Sequence, residues 1–152
     1  MATTEVKRLS FLLVGDEVSV LNHVADILNK LGYGKIATAD NGEMALSNLA
    51  NKAMPYDLII CDLNMPRMGG IEFIRLAKDS DFEGGIILLS GGDKRMLETA
   101  RKLIAAHKHN ILGVLAKPAR PDLLEELLNN FNPPVADKRP FVRQKPISEG
   151  SA

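Results

Sequence analysis

The sequence predicts an α/β protein built on a five-stranded, doubly wound parallel sheet. Five short apolar runs alternate with five stretches of helical periodicity, and that alternation requires crossovers that place helices on both faces of one sheet. Three of the runs are nearly continuous hydrophobes, as strands covered on both sides must be. At 152 residues the chain holds one domain with a real core and is too short for two.

The first run is "FLLV", Phe11 to Val14, followed by Gly15 and two adjacent acids, Asp16 and Glu17. Either acid could cap the next helix, since carboxylates favour a helix N-terminus. That helix is marked by Val20, Leu21, Val24, Ile27, Leu28 and Leu31 at helical spacing, and the glycines of "LGYG" end it. "KIATA" (Lys35 to Ala39) is the second strand, with a helix over Glu43 to Ala50. "DLIIC" (Asp57 to Cys61), "GIILLS" (Gly85 to Ser90) and "ILGVLA" (Ile111 to Ala116) are the third, fourth and fifth strands. The helices after them cover Gly70 to Lys78, Lys94 to His107 and Pro121 to Phe131. Met96, Leu97, Ala100, Leu103 and Ile104 form one apolar stripe, and Leu123, Leu124, Leu127, Leu128 and Phe131 another; both read as core-facing helix surface. From Asn132 the pattern stops, with four prolines and four basic residues among few packable hydrophobes. The expected organisation is a domain over 1–131 and a Pro-rich, basic, disordered linker or tail over 132–152.

Composition narrows the partners. Nineteen basic and nineteen acidic side chains give a formal net charge of zero, so no global field recruits nucleic acid or an anionic membrane, and neither is an expected direct partner. The single cysteine, Cys61, excludes an internal disulfide framework and fits a reducing compartment. No apolar run approaches the roughly 20 residues that span a bilayer, and "MATTEVKR" leads into too short a run for a signal peptide. A soluble, cytoplasmic protein is expected.

The function class is read from the strand ends. In a doubly wound sheet the strands point one way, so the residues that follow them share one edge, where ligands bind. Asp16 and Glu17 follow the first strand, Asp62 the third and Lys117 the fifth, while Ser90 closes the fourth. Each has a plain reading alone: Asp62 could cap a turn, Ser90 could cap the helix beginning near Asp93, and Lys117 could be a solvated charge. Together they make a carboxylate cluster flanked by a hydroxyl and an ammonium. Crowded carboxylates repel, and a hard divalent cation relieves the repulsion; oxygen ligands without cysteine or histidine point to Mg2+ rather than zinc. A second anion beside the metal would be held by Lys117, Ser90 and the peptide N–H groups of "SGGD", which begins at Ser90. These are the parts that stabilise a phosphoryl group in transfer.

"YDLIICDLNMPRMGGIEF", "ADNGEMAL" and "LAKP" stand in the order and approximate spacing of bacterial response-regulator receiver domains, which the chain resembles from about Leu9 to Phe131. The resemblance implies a flavodoxin-like (βα)5 fold and a phosphoacceptor switch in a two-component phosphorelay, with no enzyme turnover beyond its own phosphorylation and dephosphorylation. It implies that Asp62 receives the phosphoryl group, with Ser90 as the switch hydroxyl and Lys117 as its cationic partner. Asn64, Ser90, Gly91 and Lys117 would contact the phosphoryl group. Asp16 and Asp62, with the backbone carbonyl of Asn64, would hold Mg2+, and Glu17 falls at a commonly acidic position beside them. A cis peptide between Lys117 and Pro118 is implied as well. So are a histidine kinase or histidine phosphotransfer protein as donor, and a switching surface on the fourth strand, fourth helix and fifth strand. A homodimer would form through the fourth helix, fifth strand and fifth helix, and an output domain would lie C-terminal in a longer parent chain.

Three features depart from that family. Gly15 falls where it carries the first of two aspartates, which leaves open a receiver-like docking module that works without phosphorylation. Val114 occupies the position of the aromatic switch residue. The stretch "DKRMLETARKLIAAHKHNILGVLAKP" is longer than usual and resembles the extended fourth helix of receivers fused to EAL-type cyclic di-GMP phosphodiesterases; "RQKPISEG" is similar to linkers into such domains. A haloacid-dehalogenase-like phosphatase also uses a strand-end aspartate with Mg2+, but it needs an acid two residues on, and Asn64 cannot supply that proton. A flavodoxin-like flavin carrier is disfavoured because an acidic first loop repels the flavin phosphate. Cys61 should point into the core, His23, His107 and His109 should lie on the surface, and Met65, Pro66 and Met68 should shape the loop after Asp62.

Overall fold

The computed structural model describes residues 7–51, 53–65, 69–79, 82–91, 93–106 and 110–131. The tail expected over 132–152 lies outside the described residues, as do Pro66, Met68, Gly92, His107 and His109. The elements alternate throughout: β1 (Lys7–Val14), α1 (Val18–Lys30), β2 (Tyr33–Ala39), α2 (Gly42–Ala50), β3 (Leu58–Asp62), α3 (Gly70–Asp79), β4 (Gly85–Ser90), α4 (Lys94–Ala106), β5 (Ile111–Ala116) and α5 (Pro121–Asn129). The strands form one parallel sheet in the order β2-β1-β3-β4-β5. The chain therefore steps to one edge, crosses back over β1 and proceeds to the other edge. The expected doubly wound sheet is the architecture found.

Alternation of side chains along the strands divides the core into two layers. Leu12 and Val14 of β1, Ile59 and Cys61 of β3, and Ile86 and Leu88 of β4 pack with Ala45, Phe73, Ala77, Ala100 and Leu103 of α2, α3 and α4. Phe11, Leu13, Leu58, Ile60, Ile87 and Leu89 pack on the opposite face with Leu21, Val24, Leu28, Leu124 and Leu128 of α1 and α5. This two-sided burial is why the central strands read as unbroken hydrophobes. Each fully buried aliphatic side chain contributes about 1.5–3 kcal/mol of transfer free energy.

Element ends differ from the periodicity where polar residues carry the boundary. β1 reaches back to Lys7, which pairs with Tyr33, because an edge-ward polar stretch joins the ladder without an apolar signature. α1 begins at Val18 with Glu17 as an extended N-cap that makes no side-chain capping bond, so neither acid takes the capping role available to it. The side chain of Glu17 reaches the Lys117 ammonium instead. Gly32, at φ 104, turns the chain out of α1 in the left-handed region open to glycine. α5 ends at Asn129, and Phe131 beyond it still packs on the α1/α5 layer. At the edge opposite the strand ends, Asp57 is buried and its Oδ2 accepts from the Ser10 N–H at 2.9 Å and from the Ser10 hydroxyl at 3.2 Å. Among the described residues no helix is long and apolar enough to cross a membrane.

Candidate functional site

Parallel register aligns the strand ends. Val14 pairs with Cys61, Asp62 with Leu89, and Leu89 with Leu115, so Gly15 and Asp62 reach the same edge at one level, with Ser90 one residue and Lys117 two residues beyond it. Asp62 is the last residue of β3 and is 0% exposed. A carboxylate cut off from water is costly unless its charge is met by donors. Two donors meet it: the Asn64 N–H reaches Oδ1 at 2.9 Å, and Lys117 Nζ reaches Oδ2 at 2.9 Å. The turn-capping reading of Asp62 and the ionic one therefore hold together, one on each oxygen.

Lys117 is not a solvated charge. Its side chain is 15% exposed, and Nζ lies between Asp62 and Glu17, whose Oε1 is 3.4 Å away. Burial alone would lower its pKa, but the hydrogen bond and charge of Asp62, then those of Glu17, outweigh it and hold the ammonium above the ordinary lysine range. The Lys117 N–H donates to the Ser90 carbonyl at 2.8 Å, and the Lys117–Pro118 peptide is cis.

The remaining residues fall around this pair. Ser90 is fully buried at the end of β4, while Asp93, whose Oδ1 accepts from the Arg95 N–H at 3.1 Å, takes the capping place at α4. Gly91 lies against the lysine stem, since a Cβ there would stand 3.9 Å from Lys117 Cε. Asn64 turns its side chain to solvent. Asp16 stands exposed at the rim, directly after the buried Gly15. A Cβ at Gly15 would lie 3.3 Å from Asp62 Cβ and 3.2 Å from Leu21 Cδ2, so the strand ends approach closely here.

Among the described residues no three His, Cys, Asp or Glu side chains converge to hold a metal, and Glu17 is turned to Lys117 rather than to Asp62. The oxygens that would have to hold a cation at this edge are the carboxylates of Asp16 and Asp62 and the Asn64 carbonyl. An all-oxygen set this small suits Mg2+, which keeps several of its waters when bound to protein. Cys61 packs into the α2–α4 layer as expected, with its thiol donating to the Asp62 carbonyl at 3.4 Å. Burial, then the Asp62 charge, push the thiol pKa up, so it stays protonated and inert.

One contact had no signature in the sequence. His23 is exposed on α1, as expected, yet its Nε2 lies 2.9 Å from the Ala119 carbonyl. The partner is a main-chain oxygen 96 positions away, and no residue type marks such an acceptor. The contact of Glu17 with Lys117 likewise has no sequence signature, because the two lie 100 positions apart.

Comparison with known proteins agrees with this geometry. The family model described as the response regulator receiver domain matches residues 11–129. The probable chemotaxis protein CheY of Rhizobium etli is 31% identical over 115 residues, covering 74% of this chain and 83% of that protein. The cyclic di-GMP phosphodiesterase RocR of Pseudomonas aeruginosa is 30% identical over 141 residues, which are 93% of this chain but 35% of RocR. Among solved structures, a response regulator receiver domain protein from Clostridium thermocellum superposes with a TM-score of 0.68 at 25% identity, covering 81% of this chain and 93% of that one.

Proposed function

This chain belongs to the response regulator receiver domain family, and from that premise we propose that Asp62 accepts a phosphoryl group from a phosphohistidine on a histidine kinase or histidine phosphotransfer protein. The observation that carries the reading is the buried Asp62 carboxylate, paired at a strand end with the Lys117 ammonium at 2.9 Å. An acid sequestered in this way is a nucleophile held ready. One carboxylate oxygen attacks phosphorus; the new O–P bond forms as the P–N bond breaks, and the departing imidazole nitrogen keeps the electron pair. Water later attacks the same phosphorus and returns the Asp62 carboxylate and inorganic phosphate.

Esterifying Asp62 moves negative charge outward from the carboxylate to the phosphoryl oxygens. Lys117, freed from Oδ2, follows that charge. The Ser90 hydroxyl and the N–H groups of Asn64 and Gly91 provide further hydrogen bonds to it. Because the Ser90 carbonyl already holds the Lys117 N–H at 2.8 Å, a shift of Ser90 pulls on the start of the β5–α5 loop. The β4–α4–β5 surface is thus the part biased between two arrangements. Asp16, Asp62 and the Asn64 carbonyl would hold Mg2+, which would supply positive charge against the repulsion between the incoming phosphoryl group and these acids. The switched surface acts on an output domain C-terminal in a longer parent protein, or on a second copy through the α4–β5–α5 face.

Intact-protein mass spectrometry after incubation with acetyl phosphate and Mg2+ tests the assignment. Wild type gains one phosphoryl group and Asp62→Asn gains none. Equal labelling of both proteins removes Asp62 as acceptor, and no labelling of wild type leaves the phosphorylation-independent docking module.

A further inference from the structure

Besides the ion pairs of the Lys117 side chain, hydrogen bonds hold the main chain of its loop at Lys117 and Ala119. The Lys117 N–H donates to the Ser90 carbonyl at 2.8 Å. Two residues on, the Ala119 carbonyl meets His23 Nε2 at 2.9 Å; a carbonyl oxygen only accepts, so Nε2 carries the proton and donates. Ala119 is 4% exposed, which makes its carbonyl a group that needs a partner.

Ala119 packs into the α1/α5 core layer, but the space beside it is incompletely filled. An apolar cavity of about 180 Å³ lies between α1 and the loop, walled by Val20, His23 and Val24 on one side and by Leu89, Lys117 and Ala119 on the other. The pocket opens to solvent on one side, and unfilled space beside a short loop leaves it room to move. Across that pocket the imidazole makes a polar link from α1 to the segment that directs the Lys117 ammonium.

We propose that His23 is a positioning residue for phosphoryl transfer: by holding the Ala119 carbonyl it keeps Lys117 Nζ at Asp62. The inference rests on Asp62 being the acceptor. Transfer and hydrolysis both depend on a cation placed where phosphoryl charge develops. Without the imidazole donor the loop relaxes toward the cavity, and the ammonium spends less time in place.

Wild type, His23→Leu and His23→Gln, the last with an amide N–H near the place of Nε2, are compared in two assays. The first follows rate constants for gain of the phosphoryl group from acetyl phosphate with Mg2+ and for its first-order loss. The second follows amide hydrogen exchange at Lys117, Ala119 and Arg120 in unphosphorylated protein. His23→Leu slows gain and loss by about fivefold, the worth of one net hydrogen bond, whereas His23→Gln stays within about twofold of wild type. Exchange quickens in His23→Leu alone. A purely structural residue lowers the melting temperature but leaves first-order loss from already labelled molecules unchanged. The proposal is overturned if both rate constants of His23→Leu match wild type, or if His23→Gln is as slow as His23→Leu. Wild type that takes no label overturns the acceptor reading and this role with it, while the exchange difference still reports the tether.

Discussion

At the scale of residues, the energetics turn on a carboxylate with no exposed surface, Asp62, and the ammonium that meets it. An exposed lysine contributes little to stability, but Lys117 has a side chain only 15% exposed and bridges to a fully buried partner. Lys117→Ala leaves Asp62 buried without its cation, and urea unfolding should show a loss of about 1–3 kcal/mol. Adding Asp62→Asn recovers part of the loss, so the double-mutant cycle returns a coupling of about 1 kcal/mol or more. Strictly additive changes would show that the contact carries no energy. Gly15 offers a second test. A carboxylate about 5 Å from a divalent ion gains roughly 2 kcal/mol at water's dielectric, and repulsion from Asp16 and Asp62 opposes it. Gly15→Asp should tighten Mg2+ severalfold in a titration. It should also lower the melting temperature, because its Cβ would sit 3.2 Å from Leu21 Cδ2 and 3.3 Å from Asp62 Cβ. Unchanged or weaker Mg2+ affinity would show that Gly15 is no vacancy for a missing acid.

At the scale of elements, the proposed switching surface lacks the ring that receivers usually turn. Val114 stands on β5, half-buried against the α2–α4 layer, and a branched aliphatic of that size has no large rotation to make. What links the site to β5 is main chain: Ser90 pairs with Ala116, and its carbonyl holds Lys117. Phosphorylation should therefore alter amide hydrogen exchange in Lys94–Ala106 and Ile111–Ala116 while Tyr33–Ala50 stays as it was. A change spread evenly over all helices would contradict a route through β4 and β5. Elements bounded by apolar runs were legible in the sequence: β4 and β5 begin and end where their hydrophobes do. Those bounded by polar residues were not. β1 starts in "KRLS" and α1 starts behind an uncapped Glu17, where hydrogen bonds to distant residues set the limit and periodicity is silent.

At the scale of the molecule, the fold class was legible because two-sided burial writes itself into the strands as continuous hydrophobes. The meeting of Asp62 and Lys117 was legible because parallel strands end on one edge. The tethers of that site, Glu17 to Lys117 and His23 to Ala119, were not, because they join positions about a hundred residues apart without any motif. The site also couples to global stability through pH. Lys117 is raised in the fold by Asp62 and Glu17 against the opposing effect of burial, and Tyr33 is raised by burial and then by Glu125. A group raised in the folded state stabilises fully below its unfolded value, about 10.4 for lysine and 10 for tyrosine, and that contribution is lost as pH climbs through the folded value. Unfolding free energy should fall above about pH 10, less steeply in Tyr33→Phe; an equally steep fall in that variant would remove Tyr33 from the account. The central claim, that the buried acid of β3 receives the phosphoryl group, has a direct measurement. Borohydride reduces an aspartyl phosphate to homoserine, and fragment mass spectra of the treated, phosphorylated protein locate it. The predicted result is homoserine at position 62, with Asp16, Glu17 and Asp57 unchanged; homoserine at 16 or 57, or the one-methylene-longer alcohol at 17, with no homoserine at 62, would contradict it.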